Sequence, residues 1–495
     1  MLHSNNLKFT IMLKYRIKYP ISLAILLLTL LVSSCKDYLT IPPDTSLIKE
    51  KFWTKREDVD GALAATYDAF RDGALASFIW GELRADLVEF GDGFGGYNQV
   101  AASDITPSNG NISWESYYKA INLANTLMFY DKEVFKKDKT FTQEMMDGVD
   151  AEALFIRSLS YFYLVRLWKE VPLMLEPSIS DTSALFLPKS PENVVVDQII
   201  ADLLKAKDMA YTTQFKNDPK HPRYFCGRAN KYSIMALLAD VYLWDQQYQK
   251  CADYCDSITN SGLFELESSE AWFRIYNPGN SPVEGIFEIQ YDDNLEGQEN
   301  PIYDQMIFRS GQLKFTKNFT SLIDKEDLRN CGLNTPIWKY AGVDVNSTVQ
   351  RTRNQRDGHF IYYRYADVLL MKAEALCELN RLQDANQLVR ETLDRARMSH
   401  IDIVVKDDLR KAILDERGRE FVAEGKRWFD ILRAAKRNHF EKKQIIIDMI
   451  LAGADIQKQA VLRTKVFDTM SYYLPIPEHE IRYNQNLEQN PFYDR

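Results

Sequence analysis

The sequence predicts a mostly α-helical fold in which tetratricopeptide-like helix pairs form a scaffold, with an irregular insert of loops and short strands. Three observations predict it. Apolar residues recur at helical spacing along most of the chain. Two stretches, 236–258 and 370–393, each read as a helix, a short polar turn and a second helix. Ala373, Leu376, Ala385 and Val389 in the second, and Asp240, Leu243 and Ala252 in the first, fall at offsets where paired helices approach closely. Residues 262–360 are instead richer in Gly, Pro, Asn and Asp, with short runs such as Gly285-Ile286-Phe287-Glu288-Ile289-Gln290-Tyr291 that suggest strands. The pairs keep no constant period, which points to repeats embedded in a larger fold and not to a free solenoid. With 495 residues, 45% of them hydrophobic, the chain can bury a large core, and 17 Pro and 21 Gly are too few for a collagen-like or disordered chain.

The N-terminus differs from the rest. Residues 1–34 carry Lys8, Lys14, Arg16 and Lys18 and no acid, then an apolar run over 21–32, then Ser33-Ser34-Cys35. This predicts a secretory signal, because the run is about 12 residues, short of the ~20 a helix needs to span a bilayer. Leu31-Val32-Ser33-Ser34-Cys35 is similar to a bacterial lipobox, so cleavage is expected before Cys35, with acyl chains on its sulfur and amine as the membrane anchor. An ordinary signal peptide with a chance cysteine is the alternative. Met12 would start a signal of more usual length. Residues 35–50, with Pro42 and Pro43, are expected to be an extended tether that holds a single folded body, 51–495, off the bilayer. The formal charge is -9, and losing 1–34 makes it more negative, so counterion release cannot drive binding to nucleic acid, which is excluded as a partner.

Within the folded body, Val59, Leu63, Thr66, Tyr67 and Phe70 mark one face of a helix over 58–70. Residues 77–112 then read as a long loop centred on Gly91-Asp92-Gly93-Phe94-Gly95-Gly96-Tyr97-Asn98, and long loops in compact proteins are usually functional. Helices are predicted over 114–130 and 151–168. The second is apolar almost all round apart from Arg157, Ser158, Ser160 and Arg166, as a central helix should be. Further helices fit 193–210, 228–245, 249–259, 366–379, 384–397 and 407–435, the last broken near Gly425.

Little in the chain points to covalent chemistry. Besides Cys35 there are Cys226, Cys251, Cys255, Cys331 and Cys377, an odd number that implies no disulfide framework. Cys251 and Cys255 share a helix face, but no His or second Cys pair completes a metal site, so they read as small buried hydrophobes, with no metal or cofactor expected. His221, His359, His400, His439 and His479 stand apart from one another and in no zinc-hydrolase or nucleophile motif. The glycines at 91–96 neither follow a buried strand nor lead into a Lys-Ser/Thr helix, so they do not make a phosphate cradle. Glu416, Glu420 and Glu424 lie four apart on one helix face. Paired carboxylates serve glycoside hydrolysis, but the same spacing serves Glu–Arg pairs between packed helices. The structural reading is preferred, and a surface glycoside hydrolase is its alternative.

Surface recognition by aromatics remains, since Phe, Trp and Tyr make 12% of the chain. Here the residues resemble a known family. Tyr363-Arg364-Tyr365-Ala366-Asp367-Val368-Leu369-Leu370-Met371-Lys372-Ala373-Glu374-Ala375, then Glu416-Arg417 on to Asp430, then Tyr473-Leu474-Pro475-Ile476-Pro477 running to Asn490-Pro491-Phe492-Tyr493, resemble the signature blocks of the SusD/RagB family of outer-membrane nutrient-binding lipoproteins. Leu83-Arg84-Ala85-Asp86 and the run from Arg157 to Trp168, followed by Val171-Pro172-Leu173, agree with it. Lys169-Glu170 and Asn484-Gln485-Asn486 depart from the usual Gly-Asp and Asn-Pro-Asn. The resemblance implies a SusD-like fold with four tetratricopeptide-like units as scaffold. It divides the body into an N-terminal part over roughly 51–215, an irregular ligand-bearing insert over roughly 262–360 and a signature part over roughly 361–495. It also implies capture of glycans, or in some members peptides, for a SusC-like TonB-dependent β-barrel transporter, without catalysis.

The signature blocks name no ligand residue, so the site is read from chemistry. A sugar stacks its C–H face on Trp or Tyr and bonds its hydroxyls to Asn, Asp, Gln and Arg. Two regions combine both: Trp80, Arg84, Asp86, Phe94, Tyr97 and Asn98 within 77–98, and Trp272, Tyr276, Asn277, Tyr291 and Trp338 in the insert. For any one of these rings, a place in the core is the competing reading. Trp114, Trp168 and Trp428 sit in helical patterns and are assigned to packing.

Overall fold

The structure, a computed structural model, describes residues 52–91, 95–178, 186–211, 224–277, 279–303, 313–330, 337–345, 349–352, 354–454 and 456–494. The signal segment, Cys35, the tether, Phe94, His221 and Cys331 fall outside them. Lys55–Arg495 form one compact unit. Its larger helices are α1 (Arg56–Arg71), α2 (Glu115–Lys137), α3 (Gln143–Trp168), α4 (Glu192–Met209), α5 (Lys231–Trp244), α6 (Tyr248–Thr259), α7 (Tyr365–Glu378), α8 (Leu382–Arg395), α9 (Lys406–Phe421), α10 (Arg427–Phe440), α11 (Gln444–Ala452) and α12 (Ile456–Val466). Strands β1 (Val88–Phe90) and β3 (Leu313–Phe315) pair antiparallel, as do β2 (Gly285–Ile289) and β4 (Phe360–Arg364).

Helix α3 is central because α1, α2, α4 and α5 all pack on it. Every residue of α3 from Gly148 to Trp168 is buried. The polar residues that interrupt its apolar surface reach into those neighbours. Arg157 donates to both carboxylate oxygens of Asp202 on α4, at 2.9 and 2.8 Å, and to Asn125 Oδ1 on α2 at 2.7 Å. The Arg166 guanidinium lies 3.9 Å from the Phe162 ring centre and 4.2 Å from that of Phe429 on α10. A buried guanidinium with such partners satisfies its donors and fixes helix register.

The two helix pairs expected from the sequence are α5–α6 and α7–α8, with α6 packed on α7. Ala373, Leu376, Ala385 and Val389 are buried at their contacts, as are Asp240, Leu243 and Ala252. Both pairs turn in the same way. Gln246 and Asn380 take φ of 60° and 61°, and the next residue, Gln247 or Arg381, donates its N–H back to Tyr242 O or Leu376 O at 2.8 Å. This is a six-to-one closure that caps the first helix of each pair. Arg397 (φ 64°) and the Met398 N–H to Leu393 O bond repeat it after α8.

Several expectations are corrected. Helix α2 runs on to Lys137 and α3 starts at Gln143, since the amphipathic pattern continues beyond the segments first read as helical. The expected loop over 77–112 is in part ordered into elements: a short helix, Ala74–Phe78, passes into a π-helical turn, Ile79–Leu83, then β1, then a helix over Gly95–Ala101. Glycine permits helical angles as well as loop angles, and here Asn109 fixes the helix by donating to Gly96 O at 3.0 Å and Gln99 Oε1 at 2.8 Å. The long helix over 407–435 breaks where expected, into α9 and α10, with Ala423 and Gly425 at φ 65° and 72°. Helices α11 and α12 were not anticipated. β2 lies where the insert predicted it, and its partner β4 runs from the end of the insert into the first signature block. Cys226, Cys251, Cys255 and Cys377 are buried thiols, and burial pushes the Cys251 thiol well up.

Candidate functional site

Most of the rings read as stacking platforms are seated in the core. Trp80 is fully buried and donates its indole N–H to Asn111 O at 3.1 Å. Trp272, Tyr276 and Trp338 form one buried cluster with Phe273, Ile275 and Ile361. The Tyr276 hydroxyl donates to Glu424 Oε1 at 3.1 Å, and the Trp338 indole to Asp344 O at 2.7 Å. Asn277 donates to Val343 O at 2.6 Å. Tyr291 is buried with its ring 6.0 Å from the Arg71 guanidinium. Arg84 is buried on the Trp428 ring, and Asp86 accepts from Arg427 Nε at 2.8 Å. Large apolar rings bury more area inside than a surface site can use, so the competing reading holds for these five rings. Of the residues put forward, Tyr97 is half-buried against the edge of Phe90 and Asn98 is exposed.

Tyr97 opens onto a groove of about 250 Å³. The end of α1, the helix Ala74–Phe78, the helix Gly95–Ala101 and the start of α2 form its walls. Leu75, Ala76 and Ile79 give it an apolar side, and Asp72, Asn111, Ser113 and Ser116 give it a polar one. The polar side is held rigidly: Asn109 Oδ1 accepts the Asn111 N–H at 2.9 Å, while Trp80 holds the Asn111 carbonyl. Tyr117 lies beside them, its hydroxyl 2.8 Å from Ser77 Oγ and its ring stacked at 5.7 Å on Tyr163. Asn111, Ser113 and Ser116 were not singled out in the sequence. Asn111 lies at the end of the predicted loop, Ser113 just after it and Ser116 in the predicted helix over 114–130, and only folding sets them opposite Tyr97.

Two family models match the chain: the SusD family over residues 244–493, and a family described as starch-binding and associating with the outer membrane over 86–243. The chain belongs to the SusD family. Among its curated relatives are two SusD-like proteins of Formosa agariphila. P38 is 26% identical, over 82% of this chain and 89% of its own, and P2 is 27% identical, over 96% and 99%. A solved SusD superfamily protein of Bacteroides thetaiotaomicron matches 89% of this chain and 99% of its own with a TM-score of 0.71 at 20% identity. A laminarin-binding SusD-like protein matches 88% and 99% with a TM-score of 0.68, also at 20% identity. At that identity these structures establish the SusD fold.

Within this SusD fold, the three stacked carboxylates of α9 and its C-terminal turn are a buried ion-pair network. Arg329 Nη1 donates to Glu416 Oε1 at 2.8 Å and Glu420 Oε2 at 2.9 Å. Arg364 Nη1 donates to Glu284 Oε1 at 2.7 Å and Glu420 Oε1 at 2.6 Å, and its Nε to Glu424 Oε2 at 3.0 Å. Arg395 also binds Glu420, and Lys339 donates to Glu424 at 2.7 Å. Burial alone would push the Glu420 carboxyl up, but Arg395, Arg364 and Arg329 outweigh it and hold the group well below the carboxylate range. Glu424 is lowered in the same way. A general acid needs a carboxyl that can carry a proton near working pH, whereas Glu420 and Glu424 are held charged by their buried partners.

A larger cleft of about 800 Å³ lies elsewhere, along α1 and the end of β2, lined by Arg56, Asp60, Tyr67, Asp68, Arg71, Arg228 and Gln298. Its charges are largely paired: Glu152 accepts the Tyr67 hydroxyl at 2.7 Å and Arg228 Nε at 3.0 Å, and Arg71 Nη1 donates to Gln298 at 3.0 Å. Tyr67 is half-buried here, its hydroxyl taken up by Glu152. Among the described residues, no group of three or more His, Cys, Asp or Glu could hold a metal ion.

Proposed function

We propose that this SusD-family chain captures glycans in the groove beside Tyr97 and passes them to a SusC-like TonB-dependent β-barrel transporter, without covalent chemistry. A lipid on Cys35 would hold it at the outer-membrane surface. The observation that carries the reading is the groove's chemistry: a half-buried Tyr97 ring and a short apolar wall share the groove with amide, hydroxyl and carboxylate groups at Asn111, Ser113, Ser116 and Asp72. That combination suits a pyranose, whose C–H face is apolar and whose rim is hydroxylated. The open shape suits a segment of a longer chain, held for hand-over and not enclosed. The laminarin-binding SusD-like protein of the same fold, and the match to a family described as starch-binding, support the ligand class.

Calorimetry on the chain from Lys36 onward, with laminarin, starch-type oligosaccharides and peptides, and with products checked for cleavage, tests it. Glycan binding without cleavage is expected. Tyr97→Ala and Asn111→Ala should each weaken it by about tenfold or more, as loss of a stacking or hydrogen-bonding partner does, while leaving the melting temperature unchanged. Trp80→Ala and Trp272→Ala cannot serve, because both rings are core. Binding of peptides alone would move the ligand class to peptides, and cleaved product would restore the hydrolase reading.

A further inference from the structure

The first ligand segment read from the sequence, 77–98, carries two early charges that meet different fates. Asp86 is matched by Arg427. Arg84, two residues earlier, is 2% exposed and has no ion-pair partner among the described residues. Its Nη2 donates to Ser471 O at 2.9 Å and its guanidinium carbon sits 4.0 Å above the Trp428 ring, which leaves Nε and Nη1 sealed and without an acceptor. Burial pulls its basicity down to about 10, with only Tyr493 and Tyr473 acting against that, so the group stays charged at neutral pH.

The residues around this cation share the same deficit. Trp428 Nε1, Ser471 Oγ and the Tyr473 hydroxyl are likewise sealed from solvent and unpartnered. Lys169 adds a second cation 5.7 Å from the Tyr473 ring. No carboxylate acts on Arg84, and the acids that act on its tyrosine neighbours are already taken: Glu192, which acts on Tyr473, holds Lys436 at 2.5 Å and Trp244 at 2.9 Å, and Asp104, which acts on Tyr493, holds Lys465 at 3.0 Å. The neighbourhood therefore offers N–H and O–H donors and positive charge, with no counter-charge. A buried ion without one costs several kcal/mol, and water would satisfy the donors but leave the charge uncompensated.

We propose that Arg84 is the centre of an internal anion site occupied by a single chloride. The donor set selects an anion over a cation, and sealing from solvent restricts the occupant to very few atoms. The site joins three parts of the chain that are distant in sequence: the turn that begins the ligand segment, Trp428 on α10 and the C-terminal strap at 471–473. The bound ion acts as the counter-charge that locks the start of the ligand segment to the C-terminal block.

Two measurements test this, neither dependent on knowing the glycan. Crystals of the unsubstituted protein grown in sodium bromide should show an anomalous peak against the Arg84 guanidinium. Melting temperature should rise by about 1–2 °C between low and 0.1 M chloride, with gluconate holding ionic strength constant, and should level off as a single site fills. Arg84→Met should abolish that chloride dependence; should the variant not fold, the bromide experiment on the parent decides. Water or no density at Arg84, or identical melting in both salts, would overturn the proposal.

Discussion

At the scale of single residues, Glu82 shows what burial does to chemistry. It lies in the π-helical turn, fully buried, with Oε2 accepting the Gly425 N–H at 3.0 Å and Oε1 without a partner. Burial pushes its carboxyl up to about 7, against the N–H groups of Ala423 and Gly425 that favour the charged form. The folded chain thus holds this proton where the unfolded chain, titrating near the ordinary carboxyl value of 4.5, has lost it. Its contribution is fully present below pH 4.5 and is lost as pH rises through 7. Glu82→Gln keeps an acceptor for Gly425 and never ionises. It is expected to stabilise the fold by about 1–3 kcal/mol at pH 8 and by much less near pH 5, as urea titrations at the two pH values would read. Nothing in the sequence around Glu82 announces this, because the shift comes from burial under distant segments, the turn at Gly425 more than 300 positions away among them.

At the scale of elements, two joints are predicted to be sensitive. The π-helical turn presses on the α9–α10 connection so closely that a Cβ on Gly81 would sit 1.8 Å from Gly425 O. Gly81→Ala must push that connection away and strain the Glu82–Gly425 bond, and a loss of about 2 kcal/mol or more in chemical denaturation is expected. The second joint is the Glu420 network, which ties β4, α8, α9 and the turn at Leu328–Asn330 together. Glu420→Ala leaves three buried guanidiniums short of a partner and is expected to cost about 3–5 kcal/mol, the range for breaking a buried pair by removing one side. A catalytic Glu420 would instead lose activity with stability nearly kept. The helix pairs α5–α6 and α7–α8 were legible because small residues and polar turns repeat locally. Helices α11 and α12 were not, since 444–452 is apolar on several faces and only Ile446, Ile447 and Leu451 are buried there.

At the scale of the whole molecule, the proposed role needs an anchor as well as a site. Cys35→Ala removes the sulfur that would carry lipid and is expected to shift the protein from the membrane fraction to the soluble one. Fractionation of cells expressing parent and variant checks this, and equal membrane retention would argue against acylation at Cys35.

Family membership and helical scaffold were determined by the sequence itself, because they rest on features carried along the chain: helical periodicity and signature blocks in order. The preference for ion pairing at Glu416, Glu420 and Glu424 was also legible from their spacing. Which aromatic rings face solvent was decided by tertiary structure. Trp80, Trp272, Tyr276, Tyr291 and Trp338 have the composition of a sugar platform and the burial of a core, whereas Tyr97 lies half-buried beside Asn111 and Ser113. A ring's exposure depends on which distant segments pack over it, and that is a property of three-dimensional contacts which local sequence does not encode.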